Sequence, residues 1–305
     1  MSQQHKDDDY DGTKGLEMAN IIILEGNISA GKTYLCNKLG ELLNYKVFLE
    51  PTTTNPFLEQ FYKEPSKYAL EMQLWLLNQR YHTYKAALTY CSNNIGNNNN
   101  TSNNNIDIDN IDIDNIEIDN IDKQEQSNQK ASAGVILDRS VFSDWVFAEN
   151  CRREGLISSE GFSKYSDKRK QLISTIEIPH TTIYLSVEPS ECQRRIQSLR
   201  KRECEQSIPL SYLEGLDSCY QVFLDEMKQR GSKVLVVDWN RFGDASDLIK
   251  QLGISSDNGK LKYKSIKNIN GDGDDDDFQD RNKSELDFLK LENHRSTISI
   301  TNNQQ

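Results

Sequence analysis

The sequence predicts an α/β fold: one five-stranded parallel sheet with helices on both faces. Three observations carry that prediction. Short apolar runs alternate with longer amphipathic stretches along the chain. A glycine-rich string, GNISAGKT (26–33), separates the first apolar run from the first helical stretch. Setting three polar stretches aside leaves 192 of the 305 residues, one domain of ordinary size with room for a real core.

Each element follows from local pattern. Asn20–Glu25 (NIIILE) is a continuous apolar strand buried on both faces, and Gly31–Leu43 is the helix after it. Lys46–Leu49 is a second short strand. Ser66–Cys91 is a long helix carrying Leu70, Leu74, Leu77, Tyr81 and Tyr84. Gly134–Leu137 is the third strand, followed by helices over Val141–Arg153 and Ser158–Ile176. Thr181–Val187 is the fourth strand, with helices over Pro189–Leu199 and Pro209–Arg230 after it. Lys233–Val237 closes the sheet. In sheets of this kind ligands bind beyond the carboxyl ends of the strands, so chemistry is expected just after each one.

The stretches set aside are 1–19, 92–133 and 254–305. Each is polar and is expected to be disordered, with the middle one an Asn- and Asp-rich insertion into the domain. They hold all the net charge. The chain is −11, the three stretches carry −3, −6 and −2, and the remaining 192 residues have 24 acids and 24 bases. A neutral core argues against a broad nucleic-acid-binding face. No apolar run reaches the ~18 residues of a membrane span. The N-terminus lacks the apolar segment of a secretory signal and is too acidic for a transit peptide. Six cysteines are scattered without a CxxC pair, and the four histidines do not cluster. A reduced, cytoplasmic protein without a zinc framework or histidine-based metal site is the expectation.

GNISAGKT fits GxxxxGK[ST] in its confirming context, after a strand and opening a helix. Gly26, Asn27, Ile28, Ser29, Ala30 and Gly31 would wrap a phosphate with backbone N–H groups. Lys32 would reach the β- and γ-phosphates of ATP, and the Thr33 hydroxyl would bind Mg²⁺. No N-K-x-D base-reading motif of GTPases follows. Glu50 comes directly after the second strand, where a carboxylate can take the proton of an acceptor hydroxyl; alone it could equally be a solvated residue before a turn proline. After the third strand comes Asp138-Arg139-Ser140. The acid can hold Mg²⁺ through water, and Arg139 can steady the base and the charge developing on a phosphoryl group.

The strings GNISAGKT, EP, NPFLEQFY, MQLWLLNQR, DRSVFSDWVFAE, RKRECE and IPLSYLEGL, in that order, resemble the deoxyribonucleoside kinases, most of all their deoxyadenosine/deoxyguanosine kinase group. The likeness covers about 20–252 apart from the insertion. It implies a P-loop kinase fold with a short Arg-rich lid, ATP as donor with Mg²⁺, and a homodimer. It implies Glu50 as general base for the deoxyribose 5′-hydroxyl, with Arg139 beside it and Asp138 near the metal. Tyr62 and Glu205 match residues holding the 3′-hydroxyl, Gln73, Arg80 and Asp144 the base-reading trio, and Phe147 the aromatic that packs on the base. Arg195, Arg200 and Arg202 fall in the lid. The family's lid reads R-I-x-x-R-x-R, whereas one extra residue stands between Arg195-Ile196 and Arg200 here. Counting back from Ile208-Pro209-Leu210 keeps Arg200, Arg202 and Glu205 in register and displaces Arg195.

Residue spacing agrees with those implied roles. Gln73 and Arg80 are seven apart, two turns along one helix face, so both can enter one pocket, with Met72 and Leu76 lining it. Trp75 and Trp145 read as packing residues. The expected reaction is phosphorylation of a purine deoxynucleoside, deoxyadenosine first and deoxyguanosine second. A thymidylate-type monophosphate kinase is the nearest rival, but it needs arginines for the acceptor phosphate, and no basic residue follows Glu50 until Lys63. A non-catalytic nucleotide-binding subunit is the other rival. An intact Lys32, Glu50 and Arg139 speak against it.

Deleting residues 95–130 is expected to leave folding and activity unchanged, because loop-closure entropy changes by only ~0.6 kcal/mol per doubling of length. Thermal melting checks this. A midpoint lowered by more than about 5 °C, roughly 1–2 kcal/mol for a domain of this size, would show that the insertion packs on the core.

Overall fold

A computed structural model describes residues 20–50, 55–96, 134–200, 202–257 and 260–263. The expected N-terminal stretch 1–19, residues 97–133 of the expected insertion and residues 258–259 and 264–305 of the expected tail lie outside these residues, while residues 92–96, expected as disordered, continue the helix that precedes them. Five parallel strands make the sheet: β1 (Ile21–Gly26), β2 (Lys46–Phe48), β3 (Val135–Asp138), β4 (Thr181–Ser186) and β5 (Lys233–Asp238). Their spatial order is β2-β3-β1-β4-β5. β1 and β3 are wholly buried and β4 nearly so, which is why they read as unbroken apolar runs. The chain leaves β1 and β3 in opposite directions across the sheet. That places a crevice beyond their carboxyl ends, where Leu24 lies in register with Asp138.

Helix α1 (Lys32–Leu43) follows β1, and a short helix α2 (Leu58–Lys63), not expected from the sequence, precedes α3 (Pro65–Gly96). The buried face of α3 carries Ala69, Met72, Gln73, Leu76, Leu77, Arg80, Tyr84, Ala87 and Cys91, at the three- and four-residue spacing of one helical stripe. Gln73 and Arg80 are the polar interruptions of that stripe. Helix α4 (Asp144–Arg153) starts three residues later than the sequence predicts. The residues before it form a turn in which Arg139 takes a left-handed backbone at φ 69°. Helices α5 (Ser159–Ile173) and α7 (Leu210–Gln229) match their predicted spans within a few residues.

Helix α6 (Pro189–Arg195) ends before Leu199, the predicted limit. Ile196–Arg200 forms a π-helical turn instead. A π turn takes up one residue more than an α turn, and it falls where the sequence carries its extra residue. Helix α8 (Ala245–Leu252) was not expected. Its start is capped by Asp244, whose side chain accepts from Ser246 N at 2.8 Å. Two further strands, β6 (Ile254–Asp257) and β7 (Lys260–Tyr263), pair antiparallel within the stretch that the sequence assigns to a disordered tail. Among the described residues no helix is long and apolar enough to cross a membrane.

Candidate active site

A cavity of about 960 Å³ opens at the carboxyl end of the sheet. The loop 26–31 forms one wall. Gly26, Ser29 and Gly31 all have positive φ, at 149°, 62° and 102°. A Cβ on Gly31 would lie 2.8 Å from the Phe242 ring, so both space and conformation demand glycine there. The loop is docked on its neighbours. Asn27 Nδ2 donates to Leu213 O on α7 at 2.9 Å. Arg195, fully buried, donates to Ala30 O, Trp239 O and Asn240 O at 3.0, 2.8 and 2.9 Å, and its guanidinium lies 4.4 Å from the Phe242 ring centre. Arg195 thus clamps the loop to the segment after β5. Lys32 Nζ folds back onto Gly26 O and Asn27 O at 3.1 and 2.9 Å.

Thr33 Oγ1 donates to Asp138 Oδ2, which brings the two expected metal residues together from α1 and β3. Asp138 Oδ1 is buried without a hydrogen-bond partner. Two hard oxygen donors, one of them unsatisfied, suit Mg²⁺, which commonly takes one or two protein ligands and completes its shell with phosphate and water. When bound, the ion would neutralise charge on the phosphates.

The opposite wall is a buried charge network. Arg80 Nη1 donates to Asp144 Oδ1 and Arg80 Nη2 to Glu50 Oε1. Arg139 Nε donates to Glu50 Oε2 at 3.1 Å, and its Nη1 donates to Gly26 O at 3.0 Å and to the Tyr220 hydroxyl. The Phe147 ring lies beneath both guanidiniums, 4.6 Å from Arg139 and 5.1 Å from Arg80. Tyr165 OH donates to Asp144 Oδ2 at 2.6 Å. Gln73 is fully buried, and neither of its amide atoms has a partner. Tyr62, Met72, Leu76, Arg202 and Glu205 also line the cavity, and Arg202 Nη1 reaches Glu205 Oε1 at 3.3 Å. The Arg200 side chain lies outside the described residues. Trp75 and Trp145 pack, half-buried, on the core.

Every described residue that the sequence nominates lies on this cavity or its immediate frame. Sequence reasoning missed the double engagement of Arg80, which ties the expected base reader Asp144 to the expected general base Glu50. It also missed Tyr165, Tyr220 and Glu25. Glu25 carried a signal: it is the one charge in the buried run IIILEG. The aromatics read as core.

Charge balance sets the ionisation states. Burial opposes ionisation of Glu50, but Arg80 and Arg139 outweigh it and hold its carboxyl down at about 2. Burial pushes the Asp144 carboxyl up, while Arg80 and Tyr165 pull against it. Arg80 and Arg139 are thereby matched by Glu50 and Asp144. Glu25 is a fifth group beside a pair of cations already neutralised. Burial pushes it up to about 7, against the pull of Arg139 and of hydrogen bonds from Ser143 and Ser140.

The family model described as deoxynucleoside kinase matches residues 22–253. The chain is 55% identical over 240 residues to a deoxyguanosine kinase of Dictyostelium discoideum, covering 79% of this chain and 70% of that one. It is 29% identical over 257 residues to a deoxyadenosine kinase of the same organism, covering 84% of each. Among solved structures, a deoxyadenosine kinase from M. mycoides superposes with a TM-score of 0.55 at 22% identity, covering 76% of this chain and 95% of that one.

The raised Glu25 pKa has a stability consequence. The folded state holds its proton up to about 7, whereas the unfolded chain releases it near 4.5. Stability from this group is therefore present below pH 4.5 and lost as pH rises from there through 7. Glu25→Gln keeps the hydrogen-bonding shape and removes the titration. Urea denaturation of both proteins at pH 4.5, 6 and 7.5 is expected to show the wild type losing on the order of 1–3 kcal/mol relative to the variant across that window. Parallel pH profiles would mean that Glu25 is ionised throughout.

Proposed function

The chain belongs to the deoxynucleoside kinase family, and from that premise we propose that it transfers the γ-phosphoryl group of ATP to the 5′-hydroxyl of a purine deoxynucleoside, deoxyguanosine ahead of deoxyadenosine. The observation that carries this reading is Glu50, held by two arginines directly across the cavity from the GNISAGKT loop. The 5′-hydroxyl donates its hydrogen to the Glu50 carboxylate. A bond forms from that oxygen to the γ-phosphorus as the bond to the β-phosphate oxygen breaks, the proton passes to Glu50, and ADP and the 5′-monophosphate leave. A carboxylate held ionised suits a loose transition state, in which orienting the nucleophile matters more than early proton removal. Lys32 and the loop N–H groups hold the phosphates. Arg139 faces the developing charge, and Thr33 and Asp138 would hold the Mg²⁺. Tyr62 and Glu205 hold the 3′-hydroxyl, Phe147 flanks the base, and Arg200 and Arg202 close over the donor phosphates.

Two observations support reading guanine ahead of adenine, the reverse of the order expected from sequence. The 55% identical relative is a deoxyguanosine kinase. The base pocket also has donors to spare. Gln73 offers one donor and one acceptor, and Arg80 Nε–H is buried without a partner. Guanine presents acceptors at O6 and N7 and a donor at N1. Gln73 can pair with O6 and N1–H, leaving N7 for Arg80. Adenine turns a donor, its 6-amino group, toward the same guanidinium. A homodimer, a cytoplasmic location and a catalytic unit confined to 20–253 belong to the same proposal.

The test is kcat/KM with ATP and each of deoxyguanosine, deoxyadenosine, deoxycytidine and thymidine. The expected ranking is deoxyguanosine, then deoxyadenosine, then both pyrimidines. A pyrimidine preferred over both purines sinks the assignment. Asp144→Ala leaves Arg80 with one fewer partner in a buried site, a change worth ~3–5 kcal/mol. It should cut purine turnover by orders of magnitude and compress the ranking. An unchanged ranking would remove Asp144 from base recognition.

Glu50→Gln is expected to lower kcat by ~10²–10⁴ while binding of the nucleoside persists. A kcat within threefold of wild type would remove Glu50 from the mechanism.

A further inference from the structure

Arg139 occupies an exposed position in the reaction scheme and a strained one in the backbone, yet its side chain is almost fully buried. Three anchors fix the guanidinium. Nε holds Glu50 Oε2, and Nη1 holds both Gly26 O and the Tyr220 hydroxyl. Nη2 makes no hydrogen bond among the described residues, and Arg139 lines the cavity. The first anchor is itself a reacting group. The second is the first residue of the phosphate-binding loop. Only the Tyr220 hydroxyl takes no part in binding or chemistry.

We infer that Tyr220 is a positioning residue for phosphoryl transfer: its hydroxyl, presented by α7, fixes the Arg139 guanidinium that in turn orients Glu50. This inference rests on the kinase reading above. Tyr220 is fully buried, and its ring is wedged against Tyr184, Phe223 and Phe147 at centroid distances of 5.2, 6.1 and 6.5 Å, so the oxygen has little freedom to move. Burial holds the hydroxyl in its neutral form across the working pH range, where it serves as a fixed acceptor for Arg139. The backbone beside it is tied down as well. Arg139 N donates to Leu24 O at 3.0 Å, and Ser140 Oγ donates to Glu25 Oε1 at 2.8 Å. Helix α7 therefore carries two holds on the site, one on the loop through Leu213 O and Asn27 and one on Arg139 through Tyr220. A helix that merely packed on the sheet would need no hydroxyl at this buried position.

Tyr220→Phe keeps the ring and its packing and removes the acceptor. Loss of a hydrogen bond to a charged group predicts a kcat lower by roughly tenfold to a hundredfold, with KM for ATP and for the nucleoside within about twofold. The same substitution made in Arg139→Ala should change kcat by less than about twofold, because the residue acts through Arg139. Met227→Ala is the control. It removes a fully buried side chain of the same helix two turns from Tyr220 without touching the hydroxyl or the rings named as holding it, and is expected to lower the melting temperature while leaving kcat near wild type. An active wild type whose Tyr220→Phe variant keeps kcat within twofold overturns the inference. So does an equal loss in the Arg139→Ala background, or an equal loss from Met227→Ala. A wild type inactive on every deoxynucleoside overturns the kinase reading and this inference with it.

Discussion

Arg80 is a buried guanidinium shared by two carboxylates, and the active wall of the cavity is organised around it. An unpaired charge in this environment would be strongly destabilising, so its partners must arrive in the right places. Asp144 comes from the first turn of α4, where the helix dipole favours an anion. Glu50 comes from the end of β2, and Arg139 completes the alternation of charge. Four elements, β2, α3, β3 and α4, are thereby held to one geometry. The carboxylate proposed for catalysis and the carboxylate proposed for base selection are coupled through one residue. A change at either end alters the field at the other.

The wall proposed to hold the nucleotide is organised differently. The loop 26–31 has few side chains of its own to hold it, and its shape depends on glycine conformations and on clamps from outside. Asn27 ties it to α7, and Arg195 ties it to the segment after β5. This accounts for Arg195 standing out of the register expected of lid arginines. The extra residue is absorbed as a π turn immediately after it, so Arg195 faces inward as a clamp while the chain beyond resumes toward Arg202 and Glu205.

Much of this was legible in the sequence, for identifiable reasons. β1, β3 and β4, buried on both faces, leave unbroken apolar runs, and the partly exposed edge strands β2 and β5 keep short apolar runs of their own. Three strand ends pointed to a chemical group: the loop after β1, Glu50 after β2, Asp138 and Arg139 after β3. Gln73 and Arg80 were visible as a pair because helical spacing puts both on one face. What the sequence hid was reciprocity. Nothing in local pattern says that Arg80 serves Glu50 as well as Asp144, because that contact joins residues thirty apart. Tyr165 and Tyr220 were hidden because a buried tyrosine has the same periodicity as a core phenylalanine, and its hydroxyl matters only once its partner is known. Helix α8 carried an aspartate cap that was available to be read, and α2 was too short for its period to register.

The two halves of the proposed base pocket differ in what they would ask of a substrate. Neither amide atom of Gln73 has a hydrogen-bond partner among the described residues, so a bound base that completes both bonds would satisfy them. Both terminal nitrogens of Arg80 are engaged by carboxylates, whereas its Nε–H has no partner among these residues and can be used without disturbing the ion pairs. A base with the wrong pattern leaves Gln73 unpaired in a site that has lost its water, at about 1–3 kcal/mol for each group. A base that competes for the paired face of Arg80 weakens the hold on Glu50 as well. On the proposed assignment selection and catalysis would fall together, and a wrong base would be rejected in kcat as well as in binding. The same network would explain why an enzyme with so few polar contacts to the base could discriminate among bases at all.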